Sequence, residues 1–354
     1  LGENNVVEYP FKPLYHCFLQ EGRLVGYDLE GNEVVKENTE SGTLSYAYAG
    51  YPVPRIFGLL GSRQYECEEG FPEISNYDLI IVAFLRGSTP AIINKILHYP
   101  GKIPPIFFID GEDDCLVRKI YRSQKVLKYF KREILIKKPP NITHYIIKPS
   151  ITAILGNYKI ESYAKIFFVA FDDLFKKMEP LNITIPDFGF RPIYDKIYDL
   201  CYVSNMTSPL RIKIMHALKK LVEKHKLNAF IHLGNRFGFG IPWLKYIELI
   251  ACSKCSIAVP GAGFDTYRYW EIPYLGSCLV SWKPWIKIPD NFVDGENAVF
   301  FRSIDELKSR ILHILKSDEW ELIAEKGREH FLEFHTPEKR AKRILKEFYF
   351  GISF

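Results

Sequence analysis

The chain has 354 residues, 47% hydrophobic and 25% charged, which suits a soluble globular protein long enough for two domains of ordinary size. No apolar run reaches the roughly 18 residues of a membrane-spanning helix, so a span is excluded. Net charge is +5, with Lys and Arg gathered at 211–226 and 339–346 at the spacing of helix solvent faces, which disfavours a nucleic-acid groove.

Residues 12–50 read as a β-meander, because LYHCFL, RLVGYDL and EVV alternate around turns at Glu21-Gly22 and Glu30-Gly31-Asn32. Its open roles are covering an edge strand, a dimer contact or a share of a ligand site. From residue 54 strands and helices alternate: PRIFGLLG, DLIIVAFL over 78–85, a helix over 89–97, PPIFFID over 104–110, a helix near 114–124, KYFKRE over 128–133 and HYIIKP over 144–149. Continuous apolar strands separated by helices predict a parallel sheet buried on both faces, whose strand C-termini share one edge. Arg63, Arg86, Asp110, Glu112, Asp113, Lys131 and Arg132 lie at or just after those ends and are candidates for lining a cleft. Lys131 and Arg132 are adjacent and so face opposite ways on a strand; at most one reaches the cleft.

Residues 179–196 carry Pro180, Pro186 and Pro192 and read as an interdomain linker. Alternation then restarts with LCYVSN, a helix over 209–225, NAFIHLG over 228–234 and a helix near Pro242. Cys252 and Cys255 form a CxxC with no second pair in register, so they read as a helix end feeding a strand rather than a zinc site. Seven cysteines without framework spacing point to a reducing compartment. After AVFF, Ser303 and Glu306 form a capping box for a helix over 304–315, and Thr336-Pro337 opens a terminal helix.

The stretch SIAVPGAGFDTYRYWEIPYLGSCLVS, residues 256–281, carries the most chemistry. It reads as a buried strand, a turn punctuated by Gly261 and Gly263, a helix opening on Asp265 and Thr266, and a second strand. Unpaired amides and the positive dipole end of such a helix suit an anionic ligand. Arg268 adds a cation and Glu271 a two-oxygen acceptor for sugar hydroxyls; an ordinary helical ion pair between them is the competing reading. Asn205–Arg211 follows the first strand of the second half and opens a helix, another phosphate-facing position. Arg236 points to the same edge, and Phe237 and Phe239 suit a stacked base or self-packing of a glycine-rich loop. Asp110, Glu112 and Asp113 are candidates for a general base, with turn formation and N-capping as the alternative.

The pattern GxGxDTxRxWEIxxxGxxLV, with IFFIDGEDD, YFKRE, YDLCYVSNMTSPLR and DNFVDGENAVFF in order over roughly 75–345, resembles GT-B glycosyltransferases, nearest the CgeB-like (spore maturation protein) group 1 branch. The resemblance implies an α/β GT-B architecture, two Rossmann-like domains facing a cleft, with the β-meander as an extra N-terminal element. It divides the chain into 1–52, an acceptor domain over 53–185, a donor domain over 186–335 and a helix over 336–354 crossing back to the acceptor domain. It implies transfer of a sugar, of hexosyl type, from a nucleotide-diphosphate donor to a glycan, lipid or protein-linked acceptor hydroxyl, without metal or tightly bound cofactor. Asn205, Arg211, Arg236, Phe237, Gly261, Gly263, Asp265, Thr266, Arg268 and Glu271 are then donor contacts, Glu271 on ribose hydroxyls. A cytoplasmic enzyme, with peripheral contact at the inner membrane face, fits this reading. Retaining relatives often carry a second glutamate where this chain has Gly263, so stereochemistry stays open. A sugar-nucleotide epimerase and a catalytically silent nucleotide- or glycan-binding relative are the alternatives.

Overall fold

The computed structural model describes residues 17–20, 23–27, 33–36, 79–84, 98–111, 123–136, 177–182, 195–235, 240–261 and 263–351. Near the N-terminus, β1 (Cys17–Gln20), β2 (Arg23–Tyr27) and β3 (Glu33–Lys36) pair antiparallel, with Leu19 opposite Leu24 and Val25 opposite Val35. The strands expected at 54–61 and 144–149 and the helices at 89–97 and near 114–124 lie outside the described residues.

A parallel sheet follows, built from β4 (Ile80–Phe84), β5 (Ile106–Asp110), β6 (Val126–Lys131) and β7 (Met178–Pro180) in that spatial order. Every residue of β5 is buried, as an apolar run without alternation requires when both sheet faces are covered. β7 corrects the expected linker: Glu179 and Pro180 belong to a strand paired with β6. Pro180 is tolerated because β7 is an edge strand, and Leu181 N–H supplies the next bond, to Lys131 O at 3.0 Å. The far end of that segment is pinned as well, since Lys196 Nζ donates to Ala251 O at 2.8 Å and Gly276 O at 2.6 Å.

The second sheet alternates with helices: β8 (Tyr198–Asn205), α1 (Pro209–His225), β9 (Ala229–Gly234), α2 (Trp243–Ala251), β10 (Ser253–Ala258), α3 (Tyr267–Tyr274), β11 (Cys278–Trp282) and β12 (Val299–Phe301). All pairs are parallel and the spatial order is β12-β11-β10-β8-β9. The chain leaves β8 on one side for β9 and returns on the other side for β10, which makes the β8/β10 boundary a topological switch point. Alternate residues of β8 feed two cores: Leu200 and Tyr202 pack with Ile214, Leu218 and Ile311, whereas Cys201 and Val203 pack with Trp270, Tyr269 and Tyr246. Each large apolar side chain buried this way contributes roughly 1.5–3 kcal/mol. Cys252 caps the end of α2, and Cys255 stands opposite Cys278 in the sheet; both are buried and free.

Three helices close the chain: α4 (Ile304–Lys316), α5 (Glu319–Phe334) and α6 (Pro337–Gly351). Ser303 Oγ accepts from Glu306 N–H at 3.1 Å, and Glu306 reaches back to Arg302 N–H at 2.7 Å, so the capping box forms one residue offset on its return side. α5 was not anticipated. It follows α4 after only Ser317 and Asp318, and Asp318 enters in the left-handed region at φ 55 with no side-chain cap, so the usual start signal is missing. Gly327 lets α5 approach the turn before β12, since a Cβ there would lie 2.7 Å from Asn297 O.

α6 packs against the first sheet. Ala341 and Ile344 pack against Phe107, Ile109, Phe130 and Leu181, and Lys128 pairs with Glu347 at 2.7 Å. The two sheets are also stitched through backbone. Leu135 bridges Ile286, Ile136 N–H donates to Trp285 O at 2.9 Å, and Lys287 N–H donates to Ile134 O at 2.7 Å.

Candidate functional site

The C-terminal ends of β8 and β10 flank the switch point, and one side chain spans them. Arg211 sits in the first turn of α1, whose start is set by Ser208 as N-cap and Pro209 just inside. Its Nε donates to Pro260 O at 3.1 Å and Nη2 to Val259 O at 3.0 Å. On the other side Nη1 donates to Asn205 O at 3.3 Å and Thr207 Oγ1 at 2.8 Å. Every one of these acceptors is neutral. Four of the five guanidinium N–H groups are thereby used, leaving one on Nη2. Burial, then the neighbouring Arg268 charge, pulls the guanidinium down to about 9, so it remains charged at neutral pH beside a second cation.

Gly261 is part of this arrangement: a Cβ there would lie 2.8 Å from Arg211 Nη2, so only glycine admits the guanidinium without displacement. Gly261 N–H donates to Gly263 O at 2.9 Å, closing the turn. Asn205 stands at the end of β8, and its Oδ1 is buried with no hydrogen-bond partner among the described residues. Arg268 is buried and donates from Nε to Val203 O at 2.7 Å. Glu271 is buried too, and Tyr246 Oη donates to it. Burial and then the Glu271 charge push the Tyr246 phenol well above its usual value, which keeps the proton on tyrosine. Thr266 is the N-cap of α3 in extended geometry, without a side-chain capping bond.

The turn before α3 corrects one expectation. Its amides at Phe264 and Asp265 do not open outward; the Glu133 carboxylate accepts from them at 3.3 and 2.8 Å. Asp265 likewise serves the protein, taking Arg132 Nε at 3.2 Å on Oδ2 and Trp270 Nε1 at 2.7 Å on Oδ1. Asp110 is also corrected. It is 1% exposed, accepts from Tyr129 Oη at 2.5 Å and pairs with Lys131 Nζ at 3.2 Å, so it is a buried structural carboxylate at the strand ends rather than an accessible base. Of the adjacent cations, Lys131 turns inward and Arg132 reaches the opposite domain.

The structure therefore brings Asn205, Arg211 and Gly261 together at the switch point, with Gly263 closing the turn and Arg268 held on β8 at Val203, while Glu271 is engaged by Tyr246. Glu112, Asp113, Arg63, Arg86, Arg236 and Phe237 lie outside the described residues. Glu133, Trp270 and Arg340 were not foreseen. Trp270 lies under the Arg340 guanidinium at 4.2 Å, a contact between α3 and α6 that no local spacing encodes. Among the described residues, no group of three or more His, Cys, Asp or Glu is placed to hold a metal ion, and no helix is long and apolar enough to cross a membrane.

A parallel sheet with helical crossovers and a buried cation bridging its switch point defines a Rossmann-like domain. Residues 211–346 match the family described as glycosyl transferase-like. No curated protein sequence matches the chain. Among solved structures it is similar to S. aureus TarM, at 12% identity over 92% of this chain and 66% of that one, with a TM-score of 0.47. It thus spans just under two thirds of TarM's length. It is also similar to a glycosyltransferase from Rickettsia africae ESF-5, at 14% identity over 79% of each chain and a TM-score of 0.46. Anabaena Alr3699/HepE, solved in complex with UDP-glucose, is similar at 9% identity over 77% of this chain and 79% of that one, with a TM-score of 0.43.

Proposed function

We propose that the chain transfers a sugar from a nucleotide-diphosphate-sugar donor to an acceptor hydroxyl, with the donor's diphosphate in the crevice between β8 and β10. The observation that carries this reading is Arg211. A buried charge is costly unless it is matched, and among the described residues this guanidinium donates only to neutral oxygens. A diphosphate would supply the missing charge and accept a hydrogen bond from the remaining Nη2–H. Asn205 Oδ1, buried and unpartnered among the described residues, adds an acceptor for a ligand hydroxyl or amide.

In the transfer step the glycosidic oxygen leaves with the diphosphate, and negative charge grows on it. Arg211 opposes that charge inside a site with few mobile dipoles, where the interaction is stronger than in water. Arg268, held by Val203 O, adds positive potential from beneath. Glu271 is proposed to bind ribose hydroxyls, with Tyr246 fixing its orientation. Arg236 and Phe237 are proposed for the nucleotide, and Glu112 or Asp113 for the base now that Asp110 is committed elsewhere. The acceptor domain over 53–185, the meander's place in the acceptor site, hexosyl transfer without a metal and a cytoplasmic setting belong to the same proposal.

The test is incubation of the purified chain with a panel of UDP-, GDP-, dTDP- and CDP-sugars and candidate acceptors. Acceptor-dependent release of nucleoside diphosphate is the expected result. Conversion of the donor without release would overturn transfer in favour of epimerisation. Binding without either would identify a silent relative.

A further inference from the structure

β6 ends at Lys131, and the next two residues grip the turn before α3 with opposite charges. Arg132 is 8% exposed and Glu133 1%. Arg132 donates from Nε to Asp265 Oδ2 at 3.2 Å and from Nη2 to the Asp265 carbonyl, and its Nη1 donates to Gly111 O at 3.2 Å. Glu133 accepts the amides of Asp265 and Phe264 at 2.8 and 3.3 Å. The turn thus presents its acceptors to a buried cation and its donors to a buried anion. Charge-assisted bonds of both polarities on one short segment admit one orientation, because any tilt that shortens one set lengthens the other.

The contacts close into a circuit. Asp265 accepts from Trp270 Nε1, Trp270 lies under Arg340, Arg340 donates to Asn182 O, and Asn182 Nδ2 donates to Arg132 O at 3.2 Å. Three separate stretches of chain are tied at this point: the β6–β7 end of the first sheet, the turn into α3, and α6. The turn begins against Arg211 through Gly261 and leads, three residues past Asp265, to Arg268.

We infer that Arg132 and Glu133 are positioning residues: from the first domain they set the orientation of the turn that places Arg211 and Arg268, and so govern anion binding in the second. The consequence for binding rests on the donor site proposed above; the holding of the turn does not. Glu133 need not touch the ligand to do this. It replaces solvent at two amides that would otherwise leave the turn's angle to thermal motion.

The experiment uses the full chain and its Glu133→Gln and Glu133→Asp variants, with inorganic pyrophosphate as the probe. Amide hydrogen exchange of peptides containing Phe264 and Asp265 is read alongside calorimetric pyrophosphate affinity. In Glu133→Gln those peptides exchange at least about tenfold faster while β8 and β10 keep their protection, and affinity falls by about tenfold, since a neutral acceptor forms weaker bonds. Glu133→Asp, which keeps the charge on a shorter stem, recovers part of both and serves as the reading if the glutamine variant does not fold. Unchanged exchange in both variants overturns the inference. So does faster exchange with wild-type affinity. If the wild-type chain binds no pyrophosphate, the donor site fails, and the exchange measurement alone decides whether the pair holds the turn.

Discussion

Arg132, just past β6, and Asp265, in the turn before α3, form an ion pair of 3.2 Å that joins the first sheet to the second half of the chain. Both are buried, so the pair is expensive to break: removing one partner strands a charge in a place water does not reach. The same rule distinguishes this pair from Arg211, a buried cation with no carboxylate partner among the described residues. One is matched within the chain, and the other has only neutral acceptors among the described residues.

Replacing Arg211 tests that contrast. Arg211→Met is expected to weaken binding of the best nucleoside diphosphate by about 100-fold, close to 2.8 kcal/mol, measured by calorimetry. Arg211→Lys should restore only part, because a point charge cannot reach Val259, Pro260 and Asn205 carbonyls at once. Equal affinity in Arg211→Met would remove the central support for the donor site.

Gly261→Ala should act through Arg211. The added methyl would sit 2.8 Å from Nη2, too close for contact, and the guanidinium is the softer partner. Ligand affinity is expected to fall by about tenfold with a change in stability under about 1.5 kcal/mol, compared by titration and thermal melt. A large fall in melting temperature with intact affinity would show that backbone, not Arg211, gives way.

Asp110 separates a structural carboxylate from a base. Asp110→Asn leaves Lys131 buried against a neutral amide, and breaking a buried pair costs about 3–5 kcal/mol. The expected outcome in denaturant melts is a large loss of stability, partly recovered when Lys131→Met is added. Normal stability with abolished turnover would return Asp110 to the role of base.

His335 gives the chain an acid-sensitive joint. Burial, then the Arg340 charge, holds its imidazole well below the usual histidine value. Arg340 Nη2 lies 3.3 Å from Nδ1, so Nδ1 accepts and Nε2–H donates to Asp290 O at 2.8 Å. The unfolded chain takes up this proton near pH 6.5 and the folded chain does not, so stability is full above that pH and falls as pH drops toward the folded value. The slope is at most about 1.4 kcal/mol per pH unit for the one group. His335→Gln should flatten the loss between pH 6.5 and 5 in chemical melts; an unchanged slope would assign it to other groups.

Ser303→Ala removes the N-cap of α4 and should cost about 1 kcal/mol. A thermal melt is expected to shift down by about 2–4 °C, with nucleotide affinity unaltered.

Much of the second domain was legible locally. Ser208-Pro209 marked the start of α1, Ser303 and Glu306 that of α4, and Thr336-Pro337 that of α6, because caps are short-range chemistry written within a few residues. α5 escaped notice because its entry at Asp318 uses a left-handed residue and no cap. Pro180 suggested a linker because local rules exclude proline from a central strand but do not say which strand lies at an edge.

The site shows the same division. Arg211 and Gly261 were legible as residue types at strand–turn–helix positions, since apolar runs and punctuating glycines report local geometry. That Arg211 spans two strand ends, that Asp110 is neutralised by Lys131 and that Glu133 takes the Phe264 and Asp265 amides were not. Each depends on which groups 20 or more positions apart meet after folding, as with the 132-residue separation of Glu133 and Asp265. Residue order determined the strands, the helix starts and the chemical kinds available at the crevice, because these follow from neighbours along the chain. Only the folded arrangement decided which charges meet an opposite charge and which meet neutral oxygens, because electrostatic partnership depends on distance in space and on burial.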